Sequence, residues 1–279
     1  MTQCLFTFGH GYTARALAKS LPETWRMIGT TRSAGGLDLV RETAAEPLLW
    51  PGETPDLDGV THLLISIAPT EQGDPVLNVL RDEIARRSDQ FEWVGYLSTT
   101  AVYGDHAGAW VDEHTHLAPS SERGQWRVAA EQAWQSIPGL PVHVFRLAGI
   151  YGLGRGPFAK VRAGTARRIV KPDQVFSRIH VDDIAQVLLA SMNHPQPGAV
   201  YNVCDDDPAP PQDVIACAAD LLGLPLPVEI PFDEAGMSRL ARSFYGENKR
   251  VRNQLIKTEL GVRLRFPTYR EGLRALLQQ

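Results

Sequence analysis

Six consecutive residues near the start of the chain, Gly9-His10-Gly11-Tyr12-Thr13-Ala14, have the types and spacing that hold a phosphate by backbone alone. The apolar run Cys4–Phe8 before them reads as a strand, and Ala14, Leu17, Ala18 and Leu21 recur at helical spacing over residues 13–21. In that strand-to-helix context a GxGxxA pattern is a dinucleotide fingerprint. Gly9 permits the tight turn, Gly11 lets the backbone approach a pyrophosphate, and Ala14 keeps the helix close to the strand. Free amides of the first helical turn, at the positive end of the helix dipole, then favour the phosphates. All six residues are expected to line a cofactor; the competing reading is a plain glycine-rich turn.

A second contact is expected where the next strand, residues 25–30, ends at Thr30, Thr31, Arg32 and Ser33. An acid at that place accepts hydrogen bonds from both ribose hydroxyls and repels a 2′-phosphate. None of these four is acidic, and the permanent charge of Arg32 suits a 2′-phosphate. Thr31, Arg32 and Ser33 are therefore expected to select NADP over NAD, against the alternative that Arg32 is a solvated surface arginine.

Such residues need a rigid frame, and the first half of the chain supplies one by alternating short apolar runs with helix-like stretches. Residues 62–67, 93–97 and 142–146 read as strands, and 76–86 and 127–136 as helices, which predicts a parallel sheet covered on both faces. Residues 105–122 are polar and turn-rich, a loop. Beyond Gly152 the texture changes. Gly154, Gly156 and Pro157 interrupt the chain, a basic stretch runs over 160–171, and Asp182 or Asp183 caps a helix carrying Ile184, Val187 and Leu188. Val200–Val203 is expected to return to the main sheet. The predicted class is α/β, a Rossmann-type doubly wound parallel sheet with a small C-terminal substrate lobe. Its core spans 1–150 with 175–204, and its lobe spans 151–174 with 205–279.

The bulk numbers agree with an ordinary globular protein. In 279 residues, 43% are hydrophobic and 22% charged, and the formal net charge is −4. That balance favours neither nucleic acid nor an anionic membrane as partner. Cys4, Cys204 and Cys217 form no CxxC pair and have no histidine at zinc spacing, so neither a disulfide framework nor a metal site is expected. No apolar run approaches the roughly 18 residues of a membrane span, and the N-terminus reads as a strand rather than a signal peptide. A cytoplasmic protein acting on a small-molecule substrate is the expectation.

In order along the chain stand GHGYTA, SIAP at 66–69, STTAVYG at 98–104, RVAAEQ at 127–132, RLAGIYG at 146–152, RIHVDD at 178–183 and YNVCDDDP at 201–208. By these landmarks the chain resembles the extended short-chain dehydrogenase/reductase superfamily, the NAD-dependent epimerase/dehydratase group. STTAVYGD, SFYGENKRVRN and the closing LGVRLRFPTYREGL resemble an atypical subgroup of it. The resemblance implies that Ser66, Ala68, Pro69 and Ser98 line the cofactor, and that the backbone of Leu147, Ala148 and Gly149 faces the nicotinamide. It implies that Thr99 hydrogen-bonds the reacting oxygen, that Thr100, Tyr151 and Arg178 lie on the substrate side, and that a homodimer is possible. His180 and Asp182 match a landmark whose role is capping and packing.

One departure changes the chemistry. The superfamily carries a Tyr-x-x-x-Lys pair before its AAEQ-like stretch, and alignment on Ala129-Ala130-Glu131-Gln132 puts Arg123 and Arg127 there. The tyrosine is a general acid/base tuned by the nearby cation. Arginine stays protonated and is no proton shuttle, although Arg127 can bind ribose hydroxyls or an anion. Two readings stay open. In one, the protein is an NADP-dependent oxidoreductase, epimerase or dehydratase with another acid, for which Tyr103, Tyr151 and the loop residues His106, His114 and His116 are candidates. In the other, it binds the dinucleotide as a non-catalytic sensor or regulator.

The remaining features have bland alternatives. Lys160, Arg162, Arg167, Arg168 and Lys171 are either an anion-receiving patch or the solvated face of a helix. Asp205-Asp206-Asp207 reads as a turn before Pro208, Asp112 and Glu113 as loop acids, and Trp110, Trp126 and Trp134 as packing anchors.

Overall fold

The computed structural model describes residues 3–278. From the buried strand β1 (Cys4–Phe8) the chain turns through Gly9–Gly11 into helix α1 (Tyr12–Ala18), then runs through β2 (Arg26–Thr31), α2 (Leu37–Arg41) and β3 (Glu46–Leu49). A crossover leads to β4 (His62–Ile65), α3 (Leu77–Arg86), β5 (Trp93–Thr99), the short β6 (Trp110–Val111), α4 (Glu122–Gln135) and β7 (Val142–Leu147). Next come β8 (Gly149–Tyr151), α5 (Phe158–Arg162), β9 (Arg168–Val170), β10 (Arg178–His180), α6 (Val181–Asn193) and β11 (Val200–Val203). The chain closes with α7 (Pro211–Leu221), β12 (Glu229–Pro231), α8 (Arg239–Phe244), β13 (Arg250–Val251), α9 (Gln254–Thr258) and α10 (Tyr269–Leu276).

Seven strands form one all-parallel sheet in the order β11-β7-β5-β4-β1-β2-β3. Both faces are covered, which is why β1, β4 and β7 are buried at every residue rather than at alternate ones. On one face α1 packs along α6, and Ala14, Leu17, Ile184 and Leu188 join Leu5, Leu64 and Phe145. On the other, Leu77, Leu80 and Ile84 of α3 and Ala130 and Trp134 of α4 join Phe6, Leu63 and Val94. A third apolar cluster, around Tyr151, Phe158, Val214, Ala218, Tyr269 and Leu273, holds the C-terminal helices together. The predicted α/β class is the one observed, and Val200–Val203 does rejoin the sheet, as its edge.

Three local expectations change. The edge strand β3 carries Pro47, tolerable there because one side of an edge needs no ladder donor, and its four residues show no alternation to predict from. Helix α4 begins five residues earlier than the apolar pattern indicates, where Ser121 accepts the amide of Gly124 as N-cap. Helix α6 is capped by His180, whose Nδ1 accepts the Asp182 amide at 3.2 Å, rather than by either aspartate. Asp183 is fully buried and accepts the amides of Arg265 (2.6 Å) and Phe266 (3.1 Å), pinning the chain ahead of α10.

Charge also lies inside. Glu131 on α4 meets Arg146 on β7 at 2.8 Å, with side chains only 3% and 6% exposed. Ser98 donates to Glu131, and Arg146 donates to the hydroxyl of Tyr103 (2.9 Å), which donates to Oδ1 of Asn202 on β11 (2.7 Å). The chain of contacts therefore spans β5, α4, β7 and β11. Removing one partner strands the other charge in the interior, a cost of about 3–5 kcal/mol. Arg146→Leu is expected to lower stability by about that amount, read as a shift in the urea unfolding midpoint; a loss under about 1 kcal/mol would show that the pair is dispensable.

Three of the four buried histidines, His10, His62 and His143, carry the largest part of a pH dependence. His62 lies between Trp25 and Trp93, His143 stacks on Trp93, and His10 is enclosed between Thr7 and Thr43. Burial lowers the pKa of each to about 4. The unfolded chain binds these protons near pH 6.5 and the folded chain does not, so their stabilisation is complete above that pH and is lost as pH falls toward 4. Urea midpoints are expected to fall between pH 7 and pH 5, and His62→Leu is expected to flatten part of that fall.

Candidate cofactor and active site

Chain order reverses between β1 and β4, and in an open parallel sheet a ligand binds in the crevice above such a switch point. The turn at residues 9–11 lies there, because β1 ends at Phe8 and the amide of Ser66, just past β4, donates to Phe8 at 2.9 Å. Gly9 has φ of +85°, and a Cβ on it would stand 2.9 Å from Cγ1 of Ile67. Gly11 faces open space, with only the Gly9 carbonyl within 4 Å of an added Cβ, and caps α1 with no side chain. A cradle of this shape, with the amides of the first turn of α1 uncapped by any side chain, fits a pyrophosphate.

The expected contacts differ in how they are placed. Thr13 and Ala14 are buried in the helix–sheet seam, and Tyr12 is half-buried with its hydroxyl donating to the carbonyl of Leu153 at 3.0 Å. The imidazole of His10 points away into the core, where Nδ1 bonds Thr7 (2.7 Å) and Nε2 bonds Thr43 (2.8 Å). Only the backbone of His10 remains for a ligand. Gly29 leaves room for that ring: a Cβ there would meet it at 2.7 Å. At the end of β2, Thr31 is half-buried, while Arg32 and Ser33 are exposed and Arg32 has no partner. After β4, Ser66 is half-buried, Ala68 exposed and Pro69 buried.

The end of β5 holds the next group. Ser98 is buried on Glu131, so its side chain serves the interior network. Thr99 and Thr100 are half-buried, and Oγ1 of Thr99 accepts the Ala101 amide at 3.3 Å, which leaves its own proton free to donate. Arg127 reaches from α4 to the carbonyl of Leu97 (2.7 Å) and the hydroxyl of Tyr96 (3.3 Å), while Arg123 is exposed one turn earlier. Tyr103 is fully buried with its hydroxyl shared between Arg146 and Asn202, and burial raises its pKa to about 12. His106 bonds the Tyr103 carbonyl (3.1 Å), and His114 and His116 are exposed on the loop.

Across the crevice, Leu147 and Ala148 are buried and Gly149 is exposed, hydrogen-bonded to Ser177 at 3.1 Å. Tyr151 is buried against His180 and α10, and a Cβ on Gly272 would collide with its hydroxyl, for which burial raises the pKa. Arg178 donates to the carbonyls of Phe176 (2.8 Å) and Ala209 (3.0 Å) and lies over the ring of Tyr269. Beside it Asp205 is 1% exposed, and burial raises its pKa to about 8. Asp206 pairs with Lys257 and Asp207 with Arg270, as anchors of the C-terminal segments. Of the basic stretch, Arg167 bonds the Ala235 carbonyl, Arg168 pairs with Glu229, and Lys171 bonds the Tyr245 carbonyl.

Sequence spacing did not reveal one set of contacts. Lys249 donates to the carbonyl of Gly104 (2.7 Å) and to Glu247 (2.5 Å), and Glu247 accepts from Ser120 (2.5 Å). Asn248 donates its amide to Asp105 (2.7 Å) and its Nδ2 to the Asp173 carbonyl (2.9 Å). Residues 247–249 thus strap the loop after β5 to the later segments. Their only trace in the sequence is the SFYGENKRVRN signature, some 145 positions from Gly104 and without any periodicity. A shallow depression of about 480 Å3 lined by Asp206, Lys257, Gly261, Val262, Arg263, Leu264 and Pro267 includes none of the expected cofactor residues.

No protein-family model matches the chain. Protein YeeZ of Escherichia coli (strain K12) is 26% identical over 215 residues, covering 70% of this chain and 75% of YeeZ. Among solved structures, dTDP-glucose 4,6-dehydratase from Bacillus anthracis str. Ames, in complex with NAD, superposes with a TM-score of 0.79 at 17% identity, covering 100% of this chain and 96% of the other. A functionally unknown conserved protein from Silicibacter pomeroyi DSS is 67% identical, with a TM-score of 0.98 and 99% of both chains covered. The chain therefore belongs to one family with the Silicibacter pomeroyi protein, a family built on the fold of the extended short-chain dehydrogenase/reductases.

Proposed function

We propose that this protein binds NADP(H) above the β1/β4 switch point and acts as an NADP-dependent oxidoreductase, epimerase or dehydratase on a small polar or nucleotide-linked substrate. The observation that carries the proposal is the open Gly9–Gly11 turn at the head of α1 together with an unpartnered, exposed Arg32 at the end of β2. Gly9 to Ala14 hold the pyrophosphate, Thr31, Arg32 and Ser33 hold the adenosine end, and Ser66, Ala68 and Pro69 form the crevice wall. Leu147, Ala148 and Gly149 border the nicotinamide end. The bound nicotinamide supplies or accepts a hydride. The hydroxyl of Thr99 donates a hydrogen bond, without transferring its proton, to the reacting oxygen of the substrate, and the guanidinium of Arg127 stabilises negative charge there. The lobe of residues 151–174 and 205–279 encloses the substrate, with Thr100 on its core side. The NAD bound by the Bacillus anthracis dehydratase supports a nicotinamide dinucleotide as ligand.

The second reading, a dinucleotide-binding regulator without turnover, is favoured by one observation. Aligned on its AAEQ stretch, the chain has Arg123 where the superfamily it resembles carries a phenol, and Tyr103 and Tyr151, the candidate replacements, are both buried. Two measurements test these readings. In calorimetric titrations NADPH is expected to bind more tightly than NADH, and Arg32→Ala should weaken NADPH by about tenfold or more while leaving NADH unchanged. An unchanged ratio would remove Arg32 from the site. Carbonyl and sugar-nucleotide substrates screened for NADPH consumption should give turnover that Thr99→Ala lowers about a hundredfold at unaltered cofactor affinity. Tight NADPH binding with no turnover of any of them would favour the regulator.

A further inference from the structure

Helix α4 delivers its side chains to the crevice in a fixed sequence. Near its start, a Cβ on Gly124 would stand 3.2 Å from the Ala101 carbonyl, Arg127 reaches the Leu97 carbonyl, and Glu131 is consumed by Arg146. Arg123 precedes Arg127 by four residues, so their side chains rise one above the other on the same flank, about 6 Å apart at Cβ. Arg123 therefore stands beyond the end of β5, over the segment that begins with Thr99. It makes no hydrogen bond, ion pair or ring contact, and Arg127, whose guanidinium lies over the Tyr96 ring, donates hydrogen bonds only from Nη1, leaving Nε and Nη2 without hydrogen-bond partners. The Thr99 hydroxyl, already an acceptor for Ala101, has a proton to give.

The unengaged polar groups described at this mouth are donors, and the acids near them are turned elsewhere. Glu131 is committed to Arg146 and Ser98, Tyr103 is interior, and Asp74, the acid that acts on Arg127 through space, turns its Oδ1 to the amides of Val76 and Leu77. Two permanently charged guanidinium groups and a hydroxyl donor match an oxyanion, and guanidinium geometry suits the paired oxygens of a carboxylate or phosphate. We infer that Arg123 is a substrate-binding residue that, with Arg127, holds a carboxylate or phosphate group of the substrate beside Thr99. This deepens the proposed reaction site, and rests on that reading for the identity of the crevice.

The test is calorimetric titration of the full chain with oxalate and with inorganic phosphate, each in the presence and absence of saturating NADPH. Binding of either anion to the NADPH-loaded protein is expected, weakened at least tenfold by Arg123→Met, with NADPH affinity unchanged. Oxalate alone would assign a carboxylate and phosphate alone a phosphate. Arg86→Met, exposed on α3 and paired with Glu83, should leave anion affinity as it is, and Arg123→Gln carries the same comparison if Arg123→Met does not fold. The inference is overturned if NADPH binds but neither anion does, or if the Arg123 variants bind anions as well as the native chain. Arg123-dependent anion binding without any NADPH binding would uphold it and overturn the dinucleotide reading instead.

Discussion

The interior ion pair between Glu131 and Arg146 is the constraint on which the rest of the molecule depends. A carboxylate and a guanidinium removed from water cost several kcal/mol each unless both are fully paired, so the surroundings must supply partners in fixed places. Ser98, Tyr103 and Asn202 are those partners, and they come from the end of β5, the turn after it, and the edge strand β11. One pair thereby fixes the height of α4 against β5 and β7. That height decides which residues of α4 reach the crevice, namely Arg127 and the turn before it.

The same network explains why sequence reading separated some residues well and others poorly. Continuous apolar runs identify buried parallel strands, and Gly9, Gly11 and Ala14 are legible because a turn, a close approach and a helix–sheet seam each demand a small residue at one place. Thr99 and Arg127 could be located from their neighbours in STTAVYG and RVAAEQ. The direction of a side chain could not. His10 sits within the glycine motif yet turns its ring inward, because Gly29 on the neighbouring strand leaves a slot between Thr7 and Thr43. Tyr103 is four residues from Thr99, but the backbone turn over Thr100–Tyr103 carries it to the opposite side of the sheet end, into contact with Arg146. Arg178 has the charge for a phosphate, but the carbonyls of Phe176 and Ala209, already paired with each other in a β-bridge, claim it first.

The crevice itself is asymmetric in chemistry. On the β1–β2 side it offers glycine backbone and a free arginine, features whose chemistry suits phosphate. On the β5–α4 side it offers cations and a hydroxyl where related folds are expected to place a phenol. A site of that composition stabilises charge that develops on a substrate but relays no proton through a side chain. Under the proposed reaction, proton traffic there would belong to water or to the substrate.

The strap at residues 247–249 gives the molecule a direction in time. The sheet from β1 to β11 is complete once residue 203 has emerged from the ribosome, and domains fold as units as they are made. The loop after Gly104 receives Lys249 and Asn248 only later, after more than forty further residues have been synthesised. The strands of the main sheet thus precede the strap in synthesis, and the core cluster around Ala14 and Leu17 is completed only when Val251, Ile256, Leu260 and Val262 follow it. The strap closes its loop across some 145 positions, so a shortening that removes residues 247–249 takes away these contacts and no strand of the main sheet.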